Sequence, residues 1–179
     1  MICDMKFHPK AQNAKGKRVF LITLLLALAL FLSSLLFTSY QGVIQLVALV
    51  LLTIALYFYN RYVTTSFVYE ITTDADGAPV FVVSSYQGKR VSTLCRIALW
   101  DVTGVVRYTR EELAKREKSK EVSTHKFTPT MSPEIITVIS VRSTYEKCDL
   151  WLETAEDFDA YFLSVVKEAK ELKSMENDE

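Results

Sequence analysis

Charged side chains are absent from a long stretch near the start of this sequence. No Asp, Glu, Lys, Arg or His lies between Arg18 and Arg61, although charged residues make up 23% of the 179-residue chain. So long an uncharged stretch excludes a wholly soluble domain and a disordered chain. It also excludes a large multi-span channel, since residues 19–60 have room for only two membrane spans.

Residue types that carry chemistry are also scarce. The sequence has two histidines, three cysteines without a C-x-x-C pair, and five dispersed glycines that form no phosphate-binding loop. Catalytic motifs such as G-x-S-x-G and H-E-x-x-H do not occur. Asp101, the acid that stands out most, is better explained as a turn or capping residue. We therefore predict that the protein is not an enzyme and has no catalytic residue, metal ligand or cofactor.

The uncharged stretch divides into two apolar runs. Residues 19–37 would span about 28 Å as a helix, close to the roughly 30 Å hydrocarbon thickness of a bilayer. Residues 43–59 form the second run, which ends in tyrosines suited to a membrane–water boundary. The polar break at residues 38–42 favours a two-helix transmembrane hairpin over residues 19–60 rather than one long helix. A signal peptide is disfavoured because the first run is too long and a second follows at once.

Basic residues flank both ends of the uncharged stretch. Residues 1–18, the predicted basic cytosolic tail, hold five Lys and Arg side chains against Asp4, and Arg61 directly follows the second run. The connecting turn carries no charge, so the positive-inside rule predicts a multi-pass protein of the inner or plasma membrane with both termini cytoplasmic. The candidate contacts to lipid head groups are Lys15, Lys17, Arg18 and Arg61. In the simpler interpretation these cations only set the topology.

Residues 61–179 are predicted to form one cytosolic domain. We expect strands at residues 67–71, 80–84, 90–94, 105–108, 135–141 and 149–153, with turns at 74–77, 86–89 and near 145–147. An apolar stripe then predicts a terminal helix with Thr154 as its N-cap. The stripe consists of Phe158, Tyr161, Phe162, Val165, Ala169 and Leu172. This helix is expected to cover the inner face of a bent antiparallel sheet of five to seven strands.

Charge is concentrated in residues 110–134 of this domain. Glu111 and Lys115 have the spacing of a helical ion pair, which is consistent with a short exposed helix, and Pro129 and Pro133 follow in a polar stretch. We predict that the whole segment is a mobile surface insertion. From residue 61 onward acidic side chains outnumber basic ones, which argues against nucleic-acid binding.

Three stretches of the domain carry a family resemblance. They are residues 69–72, the hairpin that contains Gly88, and residues 96–105. In the last stretch Arg96, Leu99, Asp101 and Val105 are similar in spacing to the family's pattern of a basic residue, a leucine, an aspartate and a valine. With the preceding two-span hairpin, residues 60–173 resemble bacterial pleckstrin-homology-like (PH-like) membrane proteins. The resemblance implies an α+β PH-like fold, a bent antiparallel sheet or partly open barrel capped by a C-terminal helix. The charged insertion departs from the pattern, and the acidic turn at residues 74–77 does not match the basic cluster with which eukaryotic PH domains bind phosphoinositides.

Together these features predict a membrane-anchored PH-like binding or scaffolding module at the cytoplasmic face. Its ligand would be a protein partner or lipid head groups. An alternative is a small accessory subunit of a transporter or stress-response membrane complex that acts mainly through its transmembrane hairpin. A third hypothesis is an enzyme whose site forms no readable motif. Ala29 and Ser33 have the spacing of a close helix contact, which would serve either the hairpin itself or an oligomer.

Overall fold

The computed structural model of the chain describes residues 4–9, 13–115, 122–143 and 147–177. These residues form two compact units. The hairpin unit takes its described residues from 11–65 and 130–132. The sheet unit takes its described residues from 1–10, 66–129 and 133–179.

The hairpin unit consists of two long apolar helices. Helix α1 is Ala14–Ser34 and helix α2 is Gln41–Tyr59, with a 3-10 turn at Thr38–Tyr40 between them and a π-helical turn at Asn60–Thr64 after them. With that π turn the second helical segment has 24 residues, or about 36 Å at 1.5 Å per residue. Both helices are long and apolar enough to cross a membrane by length and composition.

Small side chains bring the two helices together. Ala27, Ala48 and Ala55 are almost fully buried within the hairpin unit, whereas many leucines of both helices face outward. The ring of Phe20 lies 5.2 Å from that of Tyr59, so the start of α1 packs beside the end of α2. The helices are therefore antiparallel, and the coarse prediction of a helical hairpin agrees with the structure.

The sheet unit contains two four-stranded sheets. Sheet A has the order β1-β2-β3-β4, with β1 Met5–Phe7, β2 Thr65–Thr73, β3 Pro79–Gln87 and β4 Arg90–Ala98. Sheet B has the order β5-β7-β8-β6, with β5 Val102–Thr109, β6 Ser123–Lys126, β7 Ile135–Arg142 and β8 Lys147–Leu152. A 3-10 turn at Leu99–Asp101 joins the sheets, helix α3 (Arg110–Lys115) follows β5, and helix α4 (Glu156–Asn177) closes the chain.

Helix α4 covers a core to which both sheets contribute. Phe158, Phe162, Val165 and Ala169 from the predicted stripe are buried together with Val166. The ring of Phe162 meets that of Phe81 in sheet A at 5.1 Å. Leu172, also predicted for this stripe, is instead 52% exposed. The stripe thus predicts the packing face of the helix correctly, except near its end.

Two features of the sheets differ from the expected single antiparallel sheet. The strands divide into two sheets, and β6 pairs with β8 in parallel, with Ser123 opposite Cys148. The predicted strands at residues 90–94 and 105–108 are longer in the structure, as β4 and β5. The predicted turn near residues 145–147 begins outside the described residues. The coarse class, an α+β domain with a C-terminal helix, agrees with the structure.

The segment 1–18 contains a strand that the sequence analysis did not predict. β1 pairs antiparallel with β2, and Met5 lies opposite Ile71. Lys6, counted among the tail cations, forms an ion pair with Glu70 at 2.9 Å. Phe7 packs against the main core. Three residues are too few for an alternating pattern to indicate a strand, and their partner lies far along the chain.

The segment 110–134 is more integrated than a mobile surface insertion would be. Leu113 of α3 is 8% exposed and packs with Ile136 and Val138 on sheet B, and Phe127 packs against the main core. The predicted short helix is present as α3. Residues 116–121, the most highly charged part of the predicted insertion, lie outside the described residues.

Candidate functional site

The four cations predicted to contact lipid lie at one end of the hairpin unit. Lys15, Lys17 and Arg18 are exposed on the first turns of α1, and Arg61 follows α2 in the π-helical turn. Because the helices are antiparallel, the start of α1 and the end of α2 lie at the same end of the hairpin unit, and so do these four cations. The guanidinium carbon of Arg61 lies 5.4 Å from the centre of the Tyr62 ring, in the range of a cation–π contact.

A cleft of about 640 Å³ in the sheet unit is the principal candidate binding site. It lies between the β2–β3 turn, the end of β4, the 3-10 turn after it and the end of α4. Its charged and aromatic lining residues are Asp74, Asp76, Arg96, Trp100 and Lys173. The remaining lining is mostly apolar and includes Ile97, Ala169 and Leu172.

The β2–β3 turn forms one wall of this cleft. The Asp74 N–H donates to the carbonyl oxygen of Ala78 at 2.7 Å, and the Gly77 N–H donates to the carbonyl oxygen of Asp74 at 2.9 Å. Gly77 has φ 79°, which a side chain would strain, so glycine is required at this turn. The Asp74 carboxylate accepts the Ala75 N–H at 2.6 Å and faces Arg96 Nη2 at 2.7 Å. The Asp74 carboxylate therefore stabilises the turn through these two contacts, whereas Asp76 is exposed.

A cation–π pair forms the opposite wall. Lys173 Nζ of α4 lies 4.7 Å from the centre of the Trp100 ring. The described lining contains no Ser, Cys or His. Its mixture of both charge signs, an indole ring and apolar surface suits recognition of an amphipathic chain segment.

A polar cluster at the start of α4 was not foreseen from the sequence. Thr137 Oγ1 donates to Asp159 Oδ2 at 3.0 Å, and Thr154 Oγ1 donates to Asp159 Oδ1 at 2.5 Å. Arg107 Nε lies 3.5 Å from Asp159 Oδ2, and Arg107 Nη1 lies 3.1 Å from Glu156 Oε1. The cluster satisfies a carboxylate that is 7% exposed and ties α4 to β5 and β7. The contacts of the cluster join α4 to two strands of sheet B, which is the arrangement of a structural tie.

This cluster corrects the predicted role of Thr154. α4 begins at Glu156, and the Asp159 N–H donates to the carbonyl oxygen of Ala155 at 3.0 Å. Ala155, not Thr154, therefore directly precedes the helix, and the Thr154 hydroxyl donates to the Asp159 side chain. The acidic first turn of α4 does agree with the predicted helix start.

The hairpin unit has an apolar groove of about 470 Å³ between its helices. Ala27, Phe31 and Ala48 line it, and Gln45 is its polar lining residue. A groove of this kind suits lipid chains or another transmembrane helix.

Within residues 4–9, 13–115, 122–143 and 147–177, no group of three or more His, Cys, Asp or Glu side chains could hold a metal ion. Cys95 is partly exposed and Cys148 is buried, and neither belongs to a disulfide among these residues. The ring of His125 stacks on that of Phe127 at 6.2 Å.

No protein-family model, curated protein or solved structure matches this chain. The PH-like relationship therefore stays a prediction from the sequence.

Proposed function

We propose that the chain is a membrane-anchored, PH-like binding or scaffolding module. Its hairpin crosses the inner or plasma membrane with both termini in the cytoplasm, and its sheet unit engages a protein partner or lipid head groups there. We propose no catalytic activity and no cofactor. The observation that carries the proposal is the combination of outward-facing leucines on the hairpin unit with a mixed-charge cleft in the sheet unit.

The surface of the hairpin unit supports membrane insertion. Leu32, Leu36 and Leu46 are 61%, 81% and 63% exposed, and they belong to a long series of outward-facing apolar side chains on both helices. Exposed apolar surface favours transfer out of water by about 25 cal/mol per Å². Because no charge interrupts residues 19–60, acyl chains are the surroundings that suit this surface.

The distribution of charge supports the proposed orientation. Lys15, Lys17, Arg18 and Arg61 gather at the open end of the hairpin unit, and the connection between the helices carries no charge. Cations near membrane spans favour the cytoplasmic side, where they also meet anionic lipid.

The cleft supports binding as the role of the sheet unit. Trp100 with Lys173 and Asp74 with Arg96 offer an aromatic face and both charge signs around apolar residues. Such a lining matches a peptide segment better than a single small anion. A short covalent connection to a membrane hairpin would raise the local concentration of this site near the bilayer.

Photo-crosslinking in native membranes tests this proposal. A benzoyl-phenylalanine placed at Leu172, in the cleft, should give a discrete protein adduct, and the adduct should weaken severalfold in the K173A background. The control is the same probe at Leu163, which is also an exposed leucine of α4, at 47%. Equal labelling from the two positions, or catalytic turnover by the purified chain, would contradict the proposal.

The apolar groove favours a second candidate, an accessory subunit that acts through its hairpin. Gln45 lines this groove and would offer an amide to a neighbouring transmembrane helix. Two full-length variants separate the candidates in co-purification from membranes. Loss of the partner in Q45L but not in W100A would favour the accessory subunit, and the reverse would favour the cleft.

A further inference from the structure

The β3–β4 turn forms an exposed tip on sheet A. Gln87 pairs with Arg90, so only Gly88 and Lys89 lie between the strands. Gly88 has φ 60° whereas Lys89 has no positive φ, and positive φ at only the first of two turn residues is characteristic of a type II′ turn. This tight turn places Lys89 and Arg90 side by side at the end of the hairpin, where both are exposed.

Apolar side chains follow these two cations on the outer strand. Val91 is 55% exposed and Leu94 is 46% exposed. Val83 pairs with Cys95 and Ser84 with Thr93, so Leu94 is the extra residue of a β-bulge. β4 lies at the outer edge of sheet A. The tip thus combines cationic and apolar groups on one exposed edge.

Strand direction places this tip at a particular end of the sheet. β2 begins at Thr65, directly after the helical segment Asn60–Thr64 in the chain. β2 runs away from that point for nine residues, and β3 returns over nine residues. The β3–β4 turn therefore lies at the end of sheet A where the chain enters from the hairpin unit. The β2–β3 turn with Asp76 lies at the opposite end.

We infer that the β3–β4 tip is a second lipid-contacting element, which binds an anionic membrane surface. Lys89 and Arg90 bind lipid phosphate and carboxylate groups, and Val91 and Leu94 enter the interfacial layer. This inference rests on the proposed function, because the tip can meet a bilayer continuously only if the hairpin unit is inserted in one. In this arrangement the sheet unit contacts lipid through the β3–β4 tip and binds a protein partner through the cleft.

Two other occupants of this edge fit the structure less well. Antiparallel pairing of β4 with a second copy, centred on Thr93, would place Arg90 opposite Arg96, and like charges directly opposite are destabilising. The bulge at Leu94 would also interrupt the added hydrogen-bond ladder. An acidic peptide would match the charge but would leave Val91 and Leu94 exposed unless it also carried apolar residues.

The experiment uses the full-length chain in lipid nanodiscs of phosphatidylcholine, with and without phosphatidylserine. In a C3S/C95S/C148A background, a single cysteine from S92C carries an environment-sensitive fluorophore, and D76C carries it as the control at the opposite end of the sheet. We expect a blue shift and quenching by spin-labelled lipid at position 92, both strengthened by phosphatidylserine. Position 76 should show neither effect.

Charge-reversal variants identify the groups responsible. K89E/R90E should reduce the phosphatidylserine-dependent quenching at position 92 by at least about fivefold, because both cations that would attract anionic lipid become anions. The matched control K147E/K170E changes two other exposed lysines and should leave the quenching unchanged. Equal quenching at positions 92 and 76, or no response to K89E/R90E, would overturn the inference. A blue shift that appears only when an acidic peptide is added would overturn it in favour of that peptide.

The readouts separate this inference from the proposed function. If the chain does not incorporate into nanodiscs, the proposed membrane anchor is wrong. If it incorporates while the label at position 92 stays in water, only the lipid-contacting tip is wrong. Inorganic phosphate should leave the quenching in place, since the inferred ligand is a membrane surface.

Discussion

The hydroxyl of Tyr69 donates a hydrogen bond to the backbone carbonyl oxygen of Phe127 at 3.0 Å. The same hydroxyl accepts the N–H of Glu153 at 3.3 Å, and the Tyr69 side chain is fully buried. One side chain of sheet A thus satisfies backbone groups that follow β6 and β8 of sheet B.

Removing this hydroxyl should destabilise the sheet unit. Y69F leaves two partly buried backbone groups without this partner, so we expect the free energy of unfolding to fall by about 1–2 kcal/mol. Urea unfolding of the purified chain in detergent measures the change. Y57F, at a tyrosine 61% exposed on the hairpin unit, is the control. Equal effects of the two variants would contradict this role for Tyr69.

The N-terminal strand should contribute to the stability of the sheet unit. The Phe7 ring lies 5.0 Å from that of Phe158 and 6.1 Å from that of Tyr69. Because Phe7 is only partly buried, F7A should lower the free energy of unfolding by about 2 kcal/mol, below the range for a fully buried phenylalanine. K6A, next to it on the exposed side of the strand, should change stability far less. Unchanged unfolding of F7A would place residues 4–9 outside the folded core.

A glycine is required where the two apolar helices approach. A Cβ atom on Gly16 would lie 2.8 Å from Tyr62 Cβ, whereas a Cβ on Gly42 would meet no atom within 4 Å. G16A should therefore force the helices apart and cost about 1–3 kcal/mol. The melting temperature in detergent should fall for G16A and stay unchanged or rise for G42A. A similar response of the two variants would rule out close packing at Gly16.

The stability of α3 should depend on pH through a capping box. The Thr109 N–H donates to Glu112 Oε2 at 2.8 Å, and the Glu112 N–H donates to Thr109 Oγ1 at 3.4 Å. Hydrogen bonding to Thr109 lowers the pKa of Glu112 below its ordinary value of 4.5. The backbone N–H of Thr109 makes the larger contribution and its hydroxyl the smaller one.

Because the folded-state pKa of Glu112 is lowered, the cap stabilises α3 above pH 4.5 and is lost as the pH falls through the folded-state value. The protection factors of the α3 amides in hydrogen exchange, which correct for the pH dependence of intrinsic exchange, should therefore fall on acidification below this point. In E112Q, which keeps a hydrogen-bond acceptor, this fall should disappear, whereas E111Q should retain it. Protection factors that do not change with pH in the unmodified chain would exclude the charged cap.

The buried carboxylate of Asp159 should be among the most sensitive positions of the sheet unit. D159A leaves Arg107 and the hydroxyls of Thr137 and Thr154 without their shared acceptor, which should cost about 2–4 kcal/mol. D159N keeps one acceptor oxygen and should cost less. D157A, at an exposed position on the same turn, is the control for lost helix-dipole stabilisation. Chemical denaturation ranks the three variants, and an equal cost for D157A and D159A would contradict the cluster.

Several elements could be predicted because their signal is local. The uncharged residues 19–60 predict two helices, and the spacing of Phe158, Phe162 and Val165 predicts the buried face of α4. Strands such as β3 and β7 are indicated by β-prone runs between turn residues. In each case the residues that show the pattern are the same residues that form the helix or strand.

The binding surfaces could be predicted only in part. Lys15 and Arg61 stand out in the sequence because they flank the uncharged block. Asp74 and Arg96 lie far apart in the chain, and nothing in either segment indicates their 2.7 Å ion pair. The same is true of Trp100 and Lys173, which meet only when α4 packs back over the 3-10 turn.

The sequence by itself determined which segments are apolar enough to leave water and which alternate or repeat as strands and helices, because burial and backbone geometry impose those short periods. Only the tertiary structure decided that Met5 pairs opposite Ile71, that β6 runs parallel to β8, and that Asp159 gathers its partners from two strands and a loop. Those pairings join residues separated by long stretches of chain. They depend on the shape of the whole core, which no single window of sequence contains.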